Sequence, residues 1–182
     1  MNSSTDSLAD PTPADPAAAT PSPTTNGAGD ATSNHAVEST DADPTAGGSF
    51  DDIELSPVMR AALARAGYER PSPVQAGVIP HALKGVDVLG QARTGTGKTA
   101  SFAIPILEML DEAKGGALPQ ALVLAPTREL AVQVRDEFEK LAHGRKARCV
   151  PVYGGKPIKG QISKLERGCE VVVGTPGRVL DH

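Results

Sequence analysis

A short segment rich in glycine, threonine and lysine carries the clearest chemistry in this sequence. Its residues are Ala92, Arg93, Thr94, Gly95, Thr96, Gly97, Lys98 and Thr99. Glycines let backbone N–H groups converge on phosphate oxygens, and the start of a following helix attracts the same anions. In such a loop Lys98 reaches the β- and γ-phosphates of a nucleotide and Thr99 binds Mg²⁺. We therefore predict a phosphate-binding loop. A plain glycine turn is the alternative, because Ala92 stands where the general pattern begins with glycine.

The segments around this loop alternate between two hydrophobic patterns. Short apolar runs predict strands at 86–91, 121–125, 148–153 and 170–174. Helical spacing and capping residues predict helices near 57–66, 74–84, 98–113, 128–142 and 158–167. Strands that alternate with helices and are apolar on both faces are typical of a parallel sheet with helices on each side. The predicted fold class is α/β.

Composition divides the 182-residue chain near residue 49. Residues 1–49 contain seven acidic residues and no Lys or Arg, so their net charge is −7, and all 18 Lys and Arg follow them. Their mixture of Pro, Ala, Ser and Thr cannot bury enough apolar surface to offset the chain entropy lost on folding. We predict that residues 1–49 form a disordered acidic tail.

Composition also limits where the protein works. The sequence has no apolar run near the roughly 20 residues of a membrane span, so no membrane association is expected. Its N-terminus lacks the basic and apolar segments of a secretion signal. Cys149 and Cys169 allow at most one disulfide and have no metal-site spacing. These features predict a cytoplasmic protein and leave its oligomeric state open.

Four further segments flank the predicted phosphate-binding loop. Residues 67–75 read Gly-Tyr-Glu-Arg-Pro-Ser-Pro-Val-Gln, and Phe50 stands 18 residues before Tyr68. The later segments are Pro126-Thr127-Arg128-Glu129-Leu130-Ala131, Gly154-Gly155 and Thr175-Pro176-Gly177-Arg178. Together with the loop 92–99, and in this order, they resemble the Q motif, motif I, motif Ia, the GG motif and motif Ib of the DEAD-box RNA helicases. Ser72 replaces the usual threonine of the Q motif but keeps the hydroxyl.

This resemblance covers residues 50–178 and implies a partial RecA-like P-loop domain. Residues 50–84 correspond to the Q-motif region, and residues 85–182 to part of the helicase ATP-binding domain. The implied activity is that of an ATP-dependent RNA helicase, in which RNA stimulates ATP hydrolysis and duplexes are unwound locally. The implied cofactors are ATP and Mg²⁺, held by the loop residues from Thr94 to Thr99.

The Q motif is expected, from the same resemblance, to bind adenine. Gln75 carries an amide donor and an amide acceptor, which match N7 and the 6-amino group of adenine, whereas guanine presents two acceptors on that edge. Gln75 therefore predicts a preference for ATP over GTP. Tyr68 is expected to stack on the base, and Arg70 to close the pocket beside it. The alternatives are that Phe50 and Tyr68 are ordinary core aromatics and that Gln75 is a surface residue.

Three segments are expected to bind RNA, because open parallel sheets place their ligands at the carboxyl ends of the strands. The implied contact residues are Pro126, Thr127, Arg128, Gly154, Gly155, Thr175, Pro176, Gly177 and Arg178. Contacts to phosphate and sugar carry no sequence information, so sequence-independent binding is expected. A run from Lys140 to Arg167, with eight Lys and Arg against one acid, is expected to attract phosphate, although such a run is often only a solvated face. A structural salt bridge is the alternative role for Arg128.

The resemblance also implies parts that these 182 residues do not contain. The family's Asp-Glu-Ala-Asp motif, which holds Mg²⁺, its Ser-Ala-Thr motif and its second RecA-like domain are absent from the sequence. We therefore expect these residues alone to be inactive and poorly folded, with the strand 86–91 lacking lateral partners. A binding module without turnover, or a different P-loop ATPase or kinase, are the alternative functions.

Overall fold

A computed structural model describes residues 35–38, 48–116 and 118–182. The strands are β1 His35–Glu38, β2 Val88–Gln91, β3 Ala121–Leu124, β4 Cys149–Val152 and β5 Val171–Gly174. The α-helices are α1 Pro57–Arg65, α2 Pro73–Leu83, α3 Lys98–Met109, α4 Arg128–Leu141, α5 Ile158–Glu166 and α6 Pro176–Asp181. No helix in this described part is long and apolar enough to cross a membrane.

A three-stranded parallel sheet in the order β3-β5-β4 forms the centre of the fold. All four residues of β5 are buried. Val171 and Val173 belong to a core shared with α3 and α4, whereas Val172 belongs to a second core against which Leu165 and Val179 pack. Helices therefore cover both faces of the sheet, which confirms the predicted α/β class.

The strand β1 was not predicted. It pairs in parallel with β2, from His35 opposite Val88 to Glu38 opposite Gln91, in a separate two-stranded sheet. The prediction of disorder is therefore wrong for these four residues, because strand pairing uses backbone hydrogen bonds to a distant segment, which composition does not report. The expectation that 86–91 would lack a lateral partner is wrong for the same reason. Residues 1–34 and 39–47 of the predicted tail lie outside the described residues.

One arginine holds the described residues that lead into α1. The guanidinium of Arg60 donates to the backbone carbonyls of Phe50, Ile53 and Leu55, at 3.0, 3.0 and 3.3 Å, and to the carboxylate of Asp51. The side chain of Ser49 begins a short 3-10 helix at Phe50 with a capping box. This network fixes Phe50, the aromatic residue that stands upstream of the segment 67–75.

A cavity of about 560 Å³ separates β2 from β3. Gly90 lines it on one side and Leu122 and Leu124 on the other, with Lys98 and Thr99 at the phosphate-binding loop. Leu122 and Leu124 are 54% and 57% exposed. Among the described residues β3 pairs with β5 on one edge only, so its other edge faces this cavity.

Both cysteines are free thiols within the three-stranded sheet region. Burial raises the pKa of Cys149 to about 12, with smaller contributions from the charges of Glu139 and Cys169. Burial also raises the pKa of Cys169, which lies two residues before the start of β5. The two side chains therefore serve as small apolar groups of the core at neutral pH.

A buried ion pair joins three elements that are distant in sequence. Arg145 donates at 2.8 Å to Glu108 of α3 and at 2.7 Å to the hydroxyl of Ser56, which caps α1. The side chains of Arg145 and Glu108 are only 10% and 12% exposed. The Ser56 hydroxyl in turn donates to Glu108 at 2.8 Å. Arg145 was expected to attract phosphate as part of the basic run, and this expectation is wrong for Arg145 because its charge is paired inside the fold.

Removal of one partner from this pair is expected to destabilise the fold. Arg145→Met leaves the Glu108 carboxylate buried without its cation, which costs about 3–5 kcal/mol in the free energy of unfolding. Arg135→Met is the matched control, because the Arg135 side chain is 28% exposed and its partners Asp136 and Glu139 are more than half exposed. The control should change the same free energy by less than about 1 kcal/mol. Urea titration followed by circular dichroism measures both, and equal effects would contradict the assignment.

Candidate functional site

The predicted phosphate-binding loop, residues 92–99, lies between β2 and α3 and includes the start of α3. Gly95 and Gly97 have φ of +81° and +82°, a left-handed conformation that side chains with a Cβ rarely adopt. Gly97 is the N-cap of α3, and Lys98 and Thr99 form its first turn. The Thr96 hydroxyl donates to the carbonyl of Arg93 at 2.8 Å. The backbone is therefore folded around the positive end of α3, the arrangement that binds anions.

The side chain of Lys98 crosses this loop. Its ammonium group donates to the carbonyl of Ala92, at the opposite end of the turn. The lysine thus lies along the inside of the loop. Its predicted contact with the phosphates of a nucleotide requires it to exchange this carbonyl for a phosphate oxygen.

Gln75 is buried and connects α2 to the phosphate-binding loop. Its Oε1 accepts from the backbone N–H of Ser72 at 3.0 Å, and its Nε2 donates to the carbonyl of Gly97 at 3.1 Å. The Ser72 hydroxyl accepts from the N–H of Gln75, so both residues form a capping box at the start of α2. With 2% of its surface exposed, Gln75 is not the surface residue of the alternative interpretation. A Cβ on Gly97 would collide with Nε2 of Gln75.

Tyr68 contacts α4 and the core. Its hydroxyl donates to Glu137 at 2.5 Å, the ammonium of Lys140 lies 4.9 Å from its ring centre, and Phe50 packs edge-on against it. Burial and the Glu137 carboxylate raise the pKa of the Tyr68 phenol. Phe50 is 7% exposed and belongs to the main core. This position agrees with the alternative interpretation of Phe50 as an ordinary core aromatic. Arg70 is exposed.

The three predicted RNA segments follow the carboxyl ends of β3, β4 and β5. Thr127 caps α4 by accepting the N–H of Leu130 at 3.2 Å, and Thr175 is the N-cap of α6. Helix α6 begins at Pro176, inside the segment 175–178. Pro126, Pro176 and Gly177 are exposed beside these caps. The parallel sheet therefore brings all three segments to one edge.

Both predicted RNA-binding arginines bond to the backbone after β4. Arg128 donates to the carbonyl of Gly154 at 3.3 Å, and Arg178 donates to the carbonyl of Lys156 at 2.9 Å. Among the described residues, Arg128 forms no salt bridge with a carboxylate. Arg178 also pairs with Asp181 at 3.2 Å.

The basic run is not one surface. Lys140 lies over the ring of Tyr68, Arg145 is in the buried ion pair, and the guanidinium of Arg148 donates to the carbonyl of Arg167. Lys156 and Lys159 are the exposed lysines of the run that adjoin the Gly154-Gly155 segment. Attraction of phosphate by the whole run is therefore not expected, and only the charges of Lys156 and Lys159 remain beside the Gly154-Gly155 segment.

Sequence reasoning missed Gln161. This α5 residue is 7% exposed; its Oε1 accepts from the N–H of Tyr153 at 3.1 Å and its Nε2 donates to the carbonyl of Tyr153 at 3.0 Å. The signal was present, because Gln161 stands on the apolar stripe of α5 formed by Ile158, Ile162 and Leu165. A polar residue in an apolar stripe needs a buried partner.

Comparison with known proteins places this geometry among helicases. The sequence model described as "DEAD/DEAH box helicase" matches residues 72–182. A protein described as DEAD-box ATP-dependent RNA helicase CshA of Bacillus cereus is 46% identical over 133 residues, which are 73% of this chain and 25% of that one. The protein of the same description from Geobacillus kaustophilus is 49% identical over 133 residues, 73% of this chain and 28% of that one.

A solved structure shares the fold. The crystal structure of a DEAD box protein from the hyperthermophile Methanococcus jannaschii superposes with a TM-score of 0.69 at 44% identity, over 74% of this chain and 36% of that chain. This match confirms the RecA-like interpretation of the α/β fold. The chain spans about a quarter of the length of the curated relatives it matches.

The Gly154-Gly155 segment yields a prediction about stability. Gly155 has φ of +82°, and a Cβ there would collide with the guanidinium of Arg128. Gly155→Ala should therefore lower the free energy of unfolding by about 1–3 kcal/mol. Gly177→Ala is the control, since nothing lies within 4 Å of its Cβ position and its φ is not positive. Thermal unfolding of both variants measures the difference, and a neutral Gly155→Ala would show that the turn adapts.

Proposed function

Since this chain belongs to the DEAD/DEAH box helicase family, we propose that it carries the nucleotide- and RNA-binding segments of an ATP-dependent RNA helicase. The observation that supports this most is the position of the loop 92–99 at the start of α3, on the same domain as three segments at the carboxyl edge of one parallel sheet. In the whole protein, ATP binding and RNA binding would together drive local duplex unwinding. The proposed location is the cytoplasm.

ATP and Mg²⁺ fit the residues of the phosphate-binding loop. Lys98 already bonds an oxygen acceptor inside the loop, and the Cβ position of Gly95 faces open space. The backbone N–H groups of Thr94 to Gly97 and the ammonium of Lys98 would hold the phosphates. The hydroxyl of Thr99 would hold Mg²⁺, which when bound supplies positive charge beside the β- and γ-phosphates.

A preference for ATP over GTP is compatible with the bonds of Gln75. The amide oxygen has two lone pairs and the amide nitrogen two hydrogens, and Ser72 and Gly97 use one of each. The second lone pair and the second hydrogen would match the 6-amino group and N7 of adenine. Gln75 would then read the base while it holds the carbonyl of Gly97. Tyr68 and Arg70 remain the proposed stacking and closing residues of this pocket.

RNA would bind at the edge formed by the segments after β3, β4 and β5. Threonine hydroxyls, backbone N–H groups and cations at these positions suit phosphates and sugars, not base edges. The proposed contacts are Pro126, Thr127, Arg128, Gly154, Gly155, Thr175, Pro176, Gly177 and Arg178. Binding would accordingly be salt-dependent and independent of sequence.

A binding module without turnover is the second proposal for these 182 residues. Its support is chemical: the sequence contains no Asp-Glu-Ala-Asp motif, and no cluster of three acidic, histidine or cysteine side chains suited to a metal occurs among the described residues. Without such a carboxylate the Mg²⁺ and its waters lack their second protein ligand.

Nucleotide binding tests the loop and Gln75 separately. Lys98→Ala should weaken ATP binding by about 10–100-fold, because it removes a charged hydrogen bond to phosphate, while Arg93→Ala should change it by less than about threefold. Gln75→Ala should reduce the preference for adenine over guanine nucleotides. Fluorescent ATP and GTP analogues measure all three variants. Equal affinity for both bases in the unchanged protein would contradict the role of Gln75.

Phosphate release distinguishes the two proposals for residues 1–182. We expect residues 1–182 to release phosphate from ATP no faster than the Lys98→Ala variant does, with or without RNA. The reason is that these residues lack the metal-binding carboxylate. A coupled phosphate assay measures the rate. RNA-stimulated release that Lys98→Ala abolishes would show that these residues suffice for turnover and would refute the binding-module proposal.

A further inference from the structure

Three side chains from three helices hold the backbone of residues 153–156. Arg128, the first residue of α4, donates to the carbonyl of Gly154. Gln161 of α5 bonds both the N–H and the carbonyl of Tyr153. Arg178 of α6 donates to the carbonyl of Lys156. Three carbonyls of one four-residue turn are therefore fixed by side chains that lie far apart in sequence.

The direction of these carbonyls fixes the direction of the N–H groups. In a planar trans peptide the C=O of one residue and the N–H of the next point in opposite directions. Because the carbonyls of Tyr153 and Gly154 point to the clamping side chains, the N–H groups of Gly154 and Gly155 point away from them. No acceptor among the described residues bonds these two N–H groups. Gly155 is exposed, and the Cβ position of Gly154 faces open space.

The contribution of Gln161 to this clamp does not depend on charge. Gln161 is neutral, and only 7% of its surface is exposed. Burial of its amide group would cost free energy if the two hydrogen bonds to Tyr153 were absent. The side chain of Arg178 is 14% exposed and already bonds Asp181 and Lys156. Gln161 is thus placed to act on the turn and not as a phosphate ligand, and Arg178 holds the same turn.

We propose that Gln161 is a positioning residue for RNA binding, which together with Arg128 and Arg178 presents the N–H groups of Gly154 and Gly155 to an RNA phosphate. Two adjacent N–H groups on a fixed turn bind an anion without an ordering cost at the moment of binding. This inference rests on the proposed RNA-binding function and assigns a residue outside the segments that suggested it.

Salt-dependent RNA binding tests this role in the protein as its gene encodes it. The probe is a single-stranded uridine decamer, and the affinity is measured at several salt concentrations. Gln161→Met removes no charge, so it should weaken binding about tenfold at every salt concentration and leave the salt slope unchanged. Lys156→Met is the matched control, because it removes an exposed cation of the same turn and should reduce the slope by about 0.7.

Hydrogen exchange and a second variant distinguish a local change at the turn from misfolding of the whole protein. The amide of Tyr153 should exchange faster in Gln161→Met, while the amides of α4 keep their protection. Gln161→Glu keeps the shape and the acceptor but loses the donor to Tyr153, and its affinity extrapolated to 1 M salt should also fall. If both variants bind RNA like the unchanged protein at 1 M salt, the positioning role is refuted. If the unchanged protein binds no RNA, the proposed function itself is refuted.

Discussion

The parallel pairing of β5 with β3 and β4 is the constraint on which the rest of the structure depends. Because all three strands run in one direction, the segments after them emerge at one edge, and Thr127, Gly154 and Thr175 become neighbours although they are up to 48 positions apart. Complete burial of β5 secures this pairing, since its valines contact helices on both faces. A slip of one residue in β5 would turn Val171 and Val173 away from their core.

The polar groups of the candidate site bond mainly to backbone carbonyls. Lys98 donates to the carbonyl of Ala92, and Gln75 donates to that of Gly97. Arg128 and Arg178 donate to the carbonyls of Gly154 and Lys156. Each donor is thereby satisfied in a fold that holds it near its proposed task. Where a ligand replaces such a carbonyl, binding is an exchange of hydrogen bonds, and its net gain is far smaller than the gross strength of the new bond.

The fold class and the motif segments could be predicted because their signals are local. Apolar runs marked β3 and β5, and Gly97-Lys98 marked the start of α3 within one turn. The contacts that hold the site could not be predicted, because they join residues far apart: Ser56 and Glu108 are 52 positions apart, and Arg145 and Ser56 are 89. The contact of Tyr68 could not be predicted either, because nothing in the sequence indicates that Glu137 accepts a hydrogen bond from its hydroxyl. The strand β1 was hidden likewise, because its partner β2 lies about 50 residues later.

Helix α4 connects the two halves of the candidate site. At its first residue Arg128 holds the turn at Gly154, and in its third turn Glu137 accepts the hydroxyl of Tyr68. Fourteen residues at about 1.5 Å each make this helix roughly 21 Å long, and Phe138 anchors it in the core without exposure. The two contacts are made by side chains nine positions apart on this one packed helix. The segment proposed to bind the nucleotide and the turn proposed to bind RNA are thus linked by contacts to the same helix.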